Sequence, residues 1–290
     1  MASVDLSIII PTHNSALTIE KCINSLASQS YPREKYEIII VDDGSKDDTV
    51  NLAKKAGADN IIKTESCFQG KARNIGVQNS KANLLAFIDS DCEAKEGWIE
   101  SIVEHLPKVH AMTGPILNGN SQSIVAWGEY FMEFGGFHEH QKRSLVRFLP
   151  GCNQAYRKEV FLKTNGFTEK RSSEDVLFGQ SLKEVGIQAS FIPQTQIQHL
   201  CRTSLDKVLS NMRMLGKYSV RTRKESPSIK YSYIMTRRWS IPLLFFGKIG
   251  KCFSYAVGGK KIGKFIISFP AIILASFSFC RGIWGELGAK

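Results

Sequence analysis

The chain has 290 residues, 43% of them hydrophobic and 22% charged, which excludes a disordered polypeptide and leaves room for one large core or two domains. Its formal net charge of +11 is unevenly placed: residues 1–200 carry 21 Lys/Arg against 24 Asp/Glu, whereas residues 201–290 carry 17 against 3. A basic tail that is also rich in Phe, Ile, Leu and Trp suits an anionic membrane surface rather than a nucleic-acid groove, and no nucleic-acid-binding motif accompanies it.

Seven scattered cysteines (Cys22, Cys67, Cys92, Cys152, Cys201, Cys252 and Cys280), odd in number and without CxxC spacing, indicate neither a disulfide framework nor a zinc site. A reducing compartment is expected. Residues 1–5 hold no basic segment followed by an apolar stretch, so no signal peptide is expected.

Residues 6–10 are an apolar run that predicts a buried strand, and Leu17, Ile19, Cys22, Ile23 and Leu26 follow at close to helical spacing. Residues 37–41 predict a second strand, Val50, Leu52, Ala53 and Ala56 a helix, and residues 60–62 a short third strand. A small-residue helix over 70–80 and a fourth strand over 84–88 complete the series. Strands alternating with helices at this spacing imply right-handed βαβ units and a mostly parallel sheet. Such sheets bind ligands at the carboxyl ends of their strands. Polar clusters fall there: Pro11, Thr12, His13 and Asn14 after the first strand, Asp42, Asp43, Gly44 and Ser45 after the second, and Asp89, Ser90 and Asp91 after the fourth.

Beyond residue 100 the pattern is less regular. It predicts a strand over 109–116, a helix over 124–134, and a mobile loop containing Gly135, Gly136, His138 and His140. A helix over 173–185, strands over 188–192 and 195–200, and a long basic helix over 204–224 follow. Two apolar stretches, 239–246 and 265–280, close the chain. As a helix the second would be about 24 Å long, short of a bilayer core of roughly 30 Å. It contains Pro270 and is flanked by Lys260, Lys261, Lys264 and Arg281. An interfacial or re-entrant helix is expected, with a tilted span or a buried core helix as the other readings.

In a continuing strand, Asp89 and Asp91 would face the same side. Two carboxylates in one crevice suit a hard divalent cation that keeps positions free for substrate phosphates. The competing reading is a turn that caps the next helix. The first loop has no glycine with which to approach a dinucleotide pyrophosphate, and a P-loop is missing as well. Ser172, Ser173, Glu174 and Asp175 fit a capping box, with acids in the first helical turn.

Taken in order, Pro11-Thr12-His13-Asn14, Val41-Asp42-Asp43-Gly44-Ser45 with Thr49, Gly70-Lys71-Ala72-Arg73-Asn74-Ile75-Gly76, Asp89-Ser90-Asp91 and Glu174-Asp175 resemble glycosyltransferase family 2. The resemblance covers roughly residues 4–220. It implies an α/β fold of the GT-A type, a mostly parallel sheet flanked by helices, over 1–225. A basic, apolar helical segment over 226–290 would associate with the membrane.

The resemblance further implies that Pro11, Thr12 and Asn14 line the nucleotide pocket, that Asp43 pairs with the base, and that Arg73 lies near the nucleotide or its phosphates. Asp89 would sit by the ribose and Asp91 would hold a Mn²⁺ or Mg²⁺ ion on the diphosphate. Asp175 is the expected general base toward the acceptor hydroxyl, with Glu174 orienting the acceptor or the base. His199 is either a second metal ligand or a structural histidine. Arg202 would face the diphosphate, His138 and His140 would cover the acceptor, and Gly151, Cys152 and Asn153 would form part of the acceptor-side wall.

The implied activity is inverting transfer of a sugar from a nucleotide-diphosphate donor, a UDP-sugar first among them, to a hydroxyl of a glycan or lipid-linked acceptor. Its setting would be surface polysaccharide or glycoconjugate biosynthesis at the cytoplasmic face of the cell membrane. Two other classes stay in view. A nucleotidyltransferase making sugar nucleotides usually needs a glycine- and arginine-rich first loop, which residues 11–14 do not supply. A non-catalytic sugar-binding membrane protein would dispense with Asp43, Asp91 and Asp175.

Overall fold

A computed structural model describes residues 4–65, 67–169 and 173–289. Residues 1–3 of the N-terminal reading and Ser172 of the expected capping box lie outside them. The chain divides into two compact units, one made of Met1–Leu117 and Lys142–His199, the other of Asn118–Gln141 and Leu200–Lys290.

The first unit is an α/β layer structure. Strands β1 (Leu6–Thr12), β2 (Tyr36–Asp42), β3 (Asn60–Lys63) and β4 (Leu84–Ile88) alternate with helices α1 (Ile19–Ala27), α2 (Thr49–Lys55) and α3 (Phe68–Gln78). Then come β5 (Cys92–Ala94), α4 (Trp98–His105), β6 (Ala111–Thr113) and β7 (Ile116–Asn118). Helix α5 (Ile124–Glu133) belongs to the other unit; the first resumes with β8 (Ser144–Val146), β9 (Asn153–Arg157), α6 (Lys158–Lys163), α7 (Glu174–Glu184), β10 (Ala189–Phe191) and β11 (Ile197–His199).

The large sheet runs β3-β2-β1-β4-β9-β6-β10-β8, and a small one runs β5-β11-β7. Pairings among β1, β2, β3 and β4 are parallel; β9 runs antiparallel to both β4 and β6. All seven residues of β1 and of β2 are buried, as expected of strands covered on both faces. Phe87, Tyr156, Phe161, Phe167 and Phe178 form an aromatic cluster in the core, with ring centroids as close as 4.4 Å.

Two expectations change within this first unit. The strand over 109–116 is two short strands, because Pro115 offers no N–H to a ladder and Gly114 lies so close to Thr195 that a Cβ there would stand 2.1 Å from its carbonyl oxygen. Helix α7 begins at Glu174 without the expected box: Ser173, at φ 66°, makes no side-chain capping bond.

The second unit is helical: α5, α8 (Leu205–Glu225), α9 (Ser232–Met235), α10 (Ile241–Gly258) and α11 (Ile262–Gly288). Ser123 caps α5 by accepting from Ala126 N at 3.2 Å. Helix α8, expected within the domain ending at 225, packs here, its Val208, Met212 and Val220 sharing a core with Phe265, Ile272, Phe279 and Ile283 of α11. Glycines bring the backbones together: a Cβ on Gly216 would stand 2.1 Å from Phe279 O, and one on Gly282 2.1 Å from Arg213 O.

Helix α11 has 27 residues, about 40 Å, and runs well past the 16-residue apolar stretch seen in the sequence. Its buried face continues to Ile283, and tertiary packing carries the helix through Pro270. The expected mobile loop is packed: Gly135–Phe137 forms a 3₁₀ turn, a Cβ on Gly136 would stand 3.0 Å from the ring of Tyr255, and Glu139 pairs with Lys261 at 2.5 Å.

Candidate active site

Strand β1 has β2 on one side and β4 on the other, so the order of connection reverses between β1 and β4, where open α/β sheets hold ligands at the strands' carboxyl ends. Three loops meet at this edge. Asn14, at φ 51°, accepts from Lys46 N at 2.8 Å, while its own N–H donates to Ser45 Oγ at 2.8 Å. His13 Nδ1 donates to Asp43 O at 2.8 Å, and Ser15 Oγ meets Ser90 Oγ at 2.8 Å. Pro11 and Thr12 are buried within β1, against Val41 and Asp42 of β2, and Asn14 is exposed.

Asp43 spans two segments. Its carboxylate accepts from the backbone N–H groups of Cys67 and Phe68, the latter at 3.0 Å, and from Thr64 Oγ1 at 3.4 Å. Phe68 stands at φ 56°, so Asp43 holds a bulky residue in the left-handed region at the start of α3. A crevice of about 430 Å³ beside this loop is lined by Asp42, Gly44, Ser45, Asp47, Lys63 and Thr64 among others.

Asp89 and Asp91 part company. Strand β4 ends at Ile88 and a turn, closed by Cys92 N donating to Asp89 O at 3.0 Å, leads into β5, so the alternation that would align the two acids does not continue. Asp89 turns inward to Arg73 Nη2 at 2.8 Å, whereas Asp91 Oδ1 lies 3.6 Å from Nε2 of the buried His199. Strands β5 and β11 create the second meeting, because Cys92 and His199 are register partners. Cys92, whose Sγ lies 3.8 Å from Asp91 Oδ1, completes a group whose donor atoms all fall within 4.8 Å. The Asp91 carboxylate suits Mn²⁺ or Mg²⁺, and the His199 imidazole suits a second position of Mn²⁺ better than of the harder Mg²⁺; the Cys92 thiol makes a weak hydrogen bond to Asp91.

Arg73 does not reach toward a nucleotide. It is 0% exposed, with Nη1 on Glu174 Oε1 and Nη2 on Asp89 Oδ1, both at 2.8 Å. Glu174 is buried with it, so it lies beside Asp175 rather than toward an incoming acceptor. Burial and the neighbouring Glu174 push the Asp175 carboxyl from an ordinary 3.8 up to about 7, opposed by Arg73 and by a hydrogen bond from Val176 N. Burial also raises Asp89, opposed by Arg73.

Gly151, Cys152 and Asn153 are scaffold rather than wall. A Cβ on Gly151 would stand 2.7 Å from the Arg73 guanidinium, and the buried Asn153 joins Trp98 Nε1 to Thr195 O at 3.1 and 2.9 Å. In the second unit, Arg202 is held at 2.5 Å by Glu129, a fully buried acid on α5 that also accepts from the Arg202 amide. Glu129 and Cys92 were missed by sequence reasoning. A lone Glu in an otherwise apolar helix was the available signal for the first.

This architecture is the GT-A fold. It superposes on the mannosyltransferase PcManGT from Pyrobaculum calidifontis, solved with GDP-Man and Mn²⁺, at a TM-score of 0.67 and 14% identity over 99% of this chain and 88% of that one. The Staphylococcus aureus TarS fragment 1–349 with UDP-GlcNAc gives a TM-score of 0.56 at 18% identity over 98% and 92%.

Residues 7–164, more than half of the chain, match the family model described as Glycosyl transferase family 2, and the chain belongs to that family. Over 100 residues, 33% of each chain, it is 43% identical to Glycosyltransferase AglE of Haloferax volcanii. Over 90 residues it is 36% identical to the Staphylococcus aureus poly(ribitol-phosphate) beta-N-acetylglucosaminyltransferase TarS, a match covering 29% of this chain and 16% of that protein. These matches thus span a third or less of the relatives' own lengths.

Proposed function

We propose that this protein is an inverting, divalent-metal-dependent glycosyltransferase that moves a sugar from a nucleotide-diphosphate donor to a hydroxyl of a glycan or lipid-linked acceptor. The observation that carries this reading is geometric: the acidic pair that opens α7, Glu174 and Asp175, is tied through Arg73 to the same turn that bears the Asp91–His199 pair, and burial raises the Asp175 carboxyl toward neutrality.

In this reading Asp175, ionised above about pH 7, takes the proton of the acceptor hydroxyl as its oxygen attacks the anomeric carbon in line. The anomeric C–O bond to the nucleoside diphosphate breaks in the same step. Asp91 and His199 would hold a Mn²⁺ or Mg²⁺ ion, whose chemistry when bound would be to offset negative charge on the leaving diphosphate. Pro11, Thr12, Asn14 and Asp43 frame the nucleotide and Asp89 serves the ribose. Donors of the solved relatives, GDP-Man and UDP-GlcNAc, support a nucleotide sugar here, with a UDP-sugar the first candidate.

Membrane association at the cytoplasmic face, with polysaccharide or glycoconjugate synthesis as the setting, belongs to the same proposal. Helix α11 is long and apolar enough to cross a bilayer, but 44% of its most apolar window is buried in protein. Its other face exposes Ile266, Leu274, Phe277 and Trp284, and α10 adds Leu243 and Phe246, next to a strongly basic sequence. That combination supports shallow, in-plane seating on anionic lipid.

A thermal-shift screen of nucleotide sugars with Mn²⁺ names the donor, because binding to the native state raises stability by mass action. Metal-dependent release of nucleoside diphosphate, abolished by Asp91→Ala, is then expected. Pyrophosphate release from a nucleoside triphosphate and a sugar phosphate would indicate a nucleotidyltransferase instead.

A further inference from the structure

Arg73 is the largest charged side chain fully withdrawn from solvent among the described residues of the first unit, and several neighbours make room for it. Its guanidinium lies over the Phe167 ring at 5.5 Å, and Gly151 leaves it room. Gly70 brings α3 close to the start of α7: a Cβ there would stand 2.1 Å from Thr168 O and 3.3 Å from Glu174 Cβ. Arg73 Nε, buried, has no hydrogen-bond partner among the described residues. Leaving such a donor unmade is costly, so the side chain is positioned for its two carboxylates rather than for its own satisfaction.

We infer that Arg73 is a positioning residue, a buried cationic bridge that ties the turn bearing Asp89 to Glu174 and thereby fixes the place and the charge state of the neighbouring Asp175. The inference rests on Asp175 as the general base. A guanidinium fork can hold two carboxylates in fixed directions, which the single ammonium of a lysine cannot. Without that cation, Glu174 and Asp89 would be two like charges facing the base, with nothing buried to offset them. The groups that face Asp175 are Glu174 on its own helix, Arg73 from α3, Asp89 from the turn after β4, and Tyr156 from β9.

Carbon-13 NMR of the full chain labelled at aspartate carboxyl carbons tests this without any donor, since the resonance lost in Asp175→Asn identifies Asp175. In Arg73→Gln its midpoint is expected to rise by about one pH unit or more, the effect of an opposite charge at close range. In the double variant Arg73→Gln/Glu174→Gln it returns to within about half a unit of the wild type, because the cation and one of its anions leave together. An unchanged midpoint in Arg73→Gln overturns the inference. If Arg73→Gln does not fold, the double variant is expected to; failure of both would assign Arg73 to packing alone. Asp175→Asn with near-wild-type turnover would sink the base assignment separately, leaving the titration result as it stands.

Discussion

Replacing Asp175 by Asn removes a carboxyl whose native pKa is about 7 against an ordinary 3.8, and two opposite consequences follow. The native state holds a proton between those values that the unfolded chain has released. Stability contributed by this residue therefore falls as pH rises from about 4 to 7, and the full cost applies above 7. At about 1.4 kcal/mol per pH unit the full shift corresponds to a little over 4 kcal/mol, and roughly 3 kcal/mol is expected because Asp175 is only partly shielded from water.

Asparagine cannot ionise, so Asp175→Asn is expected to melt about 6–12 °C higher than the wild type at pH 8, taking 2–4 °C per kcal/mol for a unit of this size. At pH 5 the gain should shrink to less than half. Turnover moves the other way, with a loss of roughly 100-fold or more while donor binding is kept, as expected when a positioned base is removed. Thermal melts at the two pH values, run beside nucleoside diphosphate release, make both measurements on one preparation. Near-wild-type turnover would refute the base, and a pH-independent difference in melting temperature would refute the raised pKa.

Asp91→Ala should abolish the Mn²⁺-dependent part of the donor's thermal stabilisation, and His199→Ala should weaken it, which calorimetry of Mn²⁺ binding would resolve into separate affinities; equal binding by all three proteins would remove both residues from the metal site. Wild-type kcat/KM should fall tenfold per pH unit below about 7 as Asp175 protonates, and a flat profile down to pH 5 would contradict that titration. Gly216→Ala, which drives a Cβ to 2.1 Å from Phe279 O, should destabilise the helical unit by about 1–3 kcal/mol, whereas Gly285→Ala, with open space around it, should be neutral or better in a denaturant melt. Ile266→Glu/Phe277→Glu, on the exposed face of α11, should weaken sedimentation with phosphatidylserine vesicles at least tenfold, since each side chain contributes about 1.5–3 kcal/mol when it leaves water. Unaltered sedimentation would place the contact elsewhere.

The local chemistry of β1 and β2 was readable because a strand buried on both faces must be a near-continuous apolar run, and the acids that end such runs stand out. Helices α5, α7 and α8 were readable within a residue or two from apolar spacing and charge. Where the reading failed, a distant segment decided. Asp89 and Asp91 lie two residues apart, yet Arg73 draws one inward while His199, from a strand more than a hundred residues away, meets the other.

Helix α11 outran its apolar stretch because α8 offers a surface to its last turns, through Gly282 against Arg213 and Glu286 against Arg221, and helices in folded proteins are stabilised more by a packed face than by propensity. Glu174 and Asp175 were legible as an acidic pair at a helix start. Which of them is buried against a cation, and which is left to titrate near neutrality, was not. Sequence spacing fixes which side chains can share one element, so by itself it determined the order of strands and helices over the first ninety residues, the polar loops at the sheet edge and the family. The partner each charge finds depends on solvent exclusion and on residues far away in the chain, and only the tertiary structure decided that.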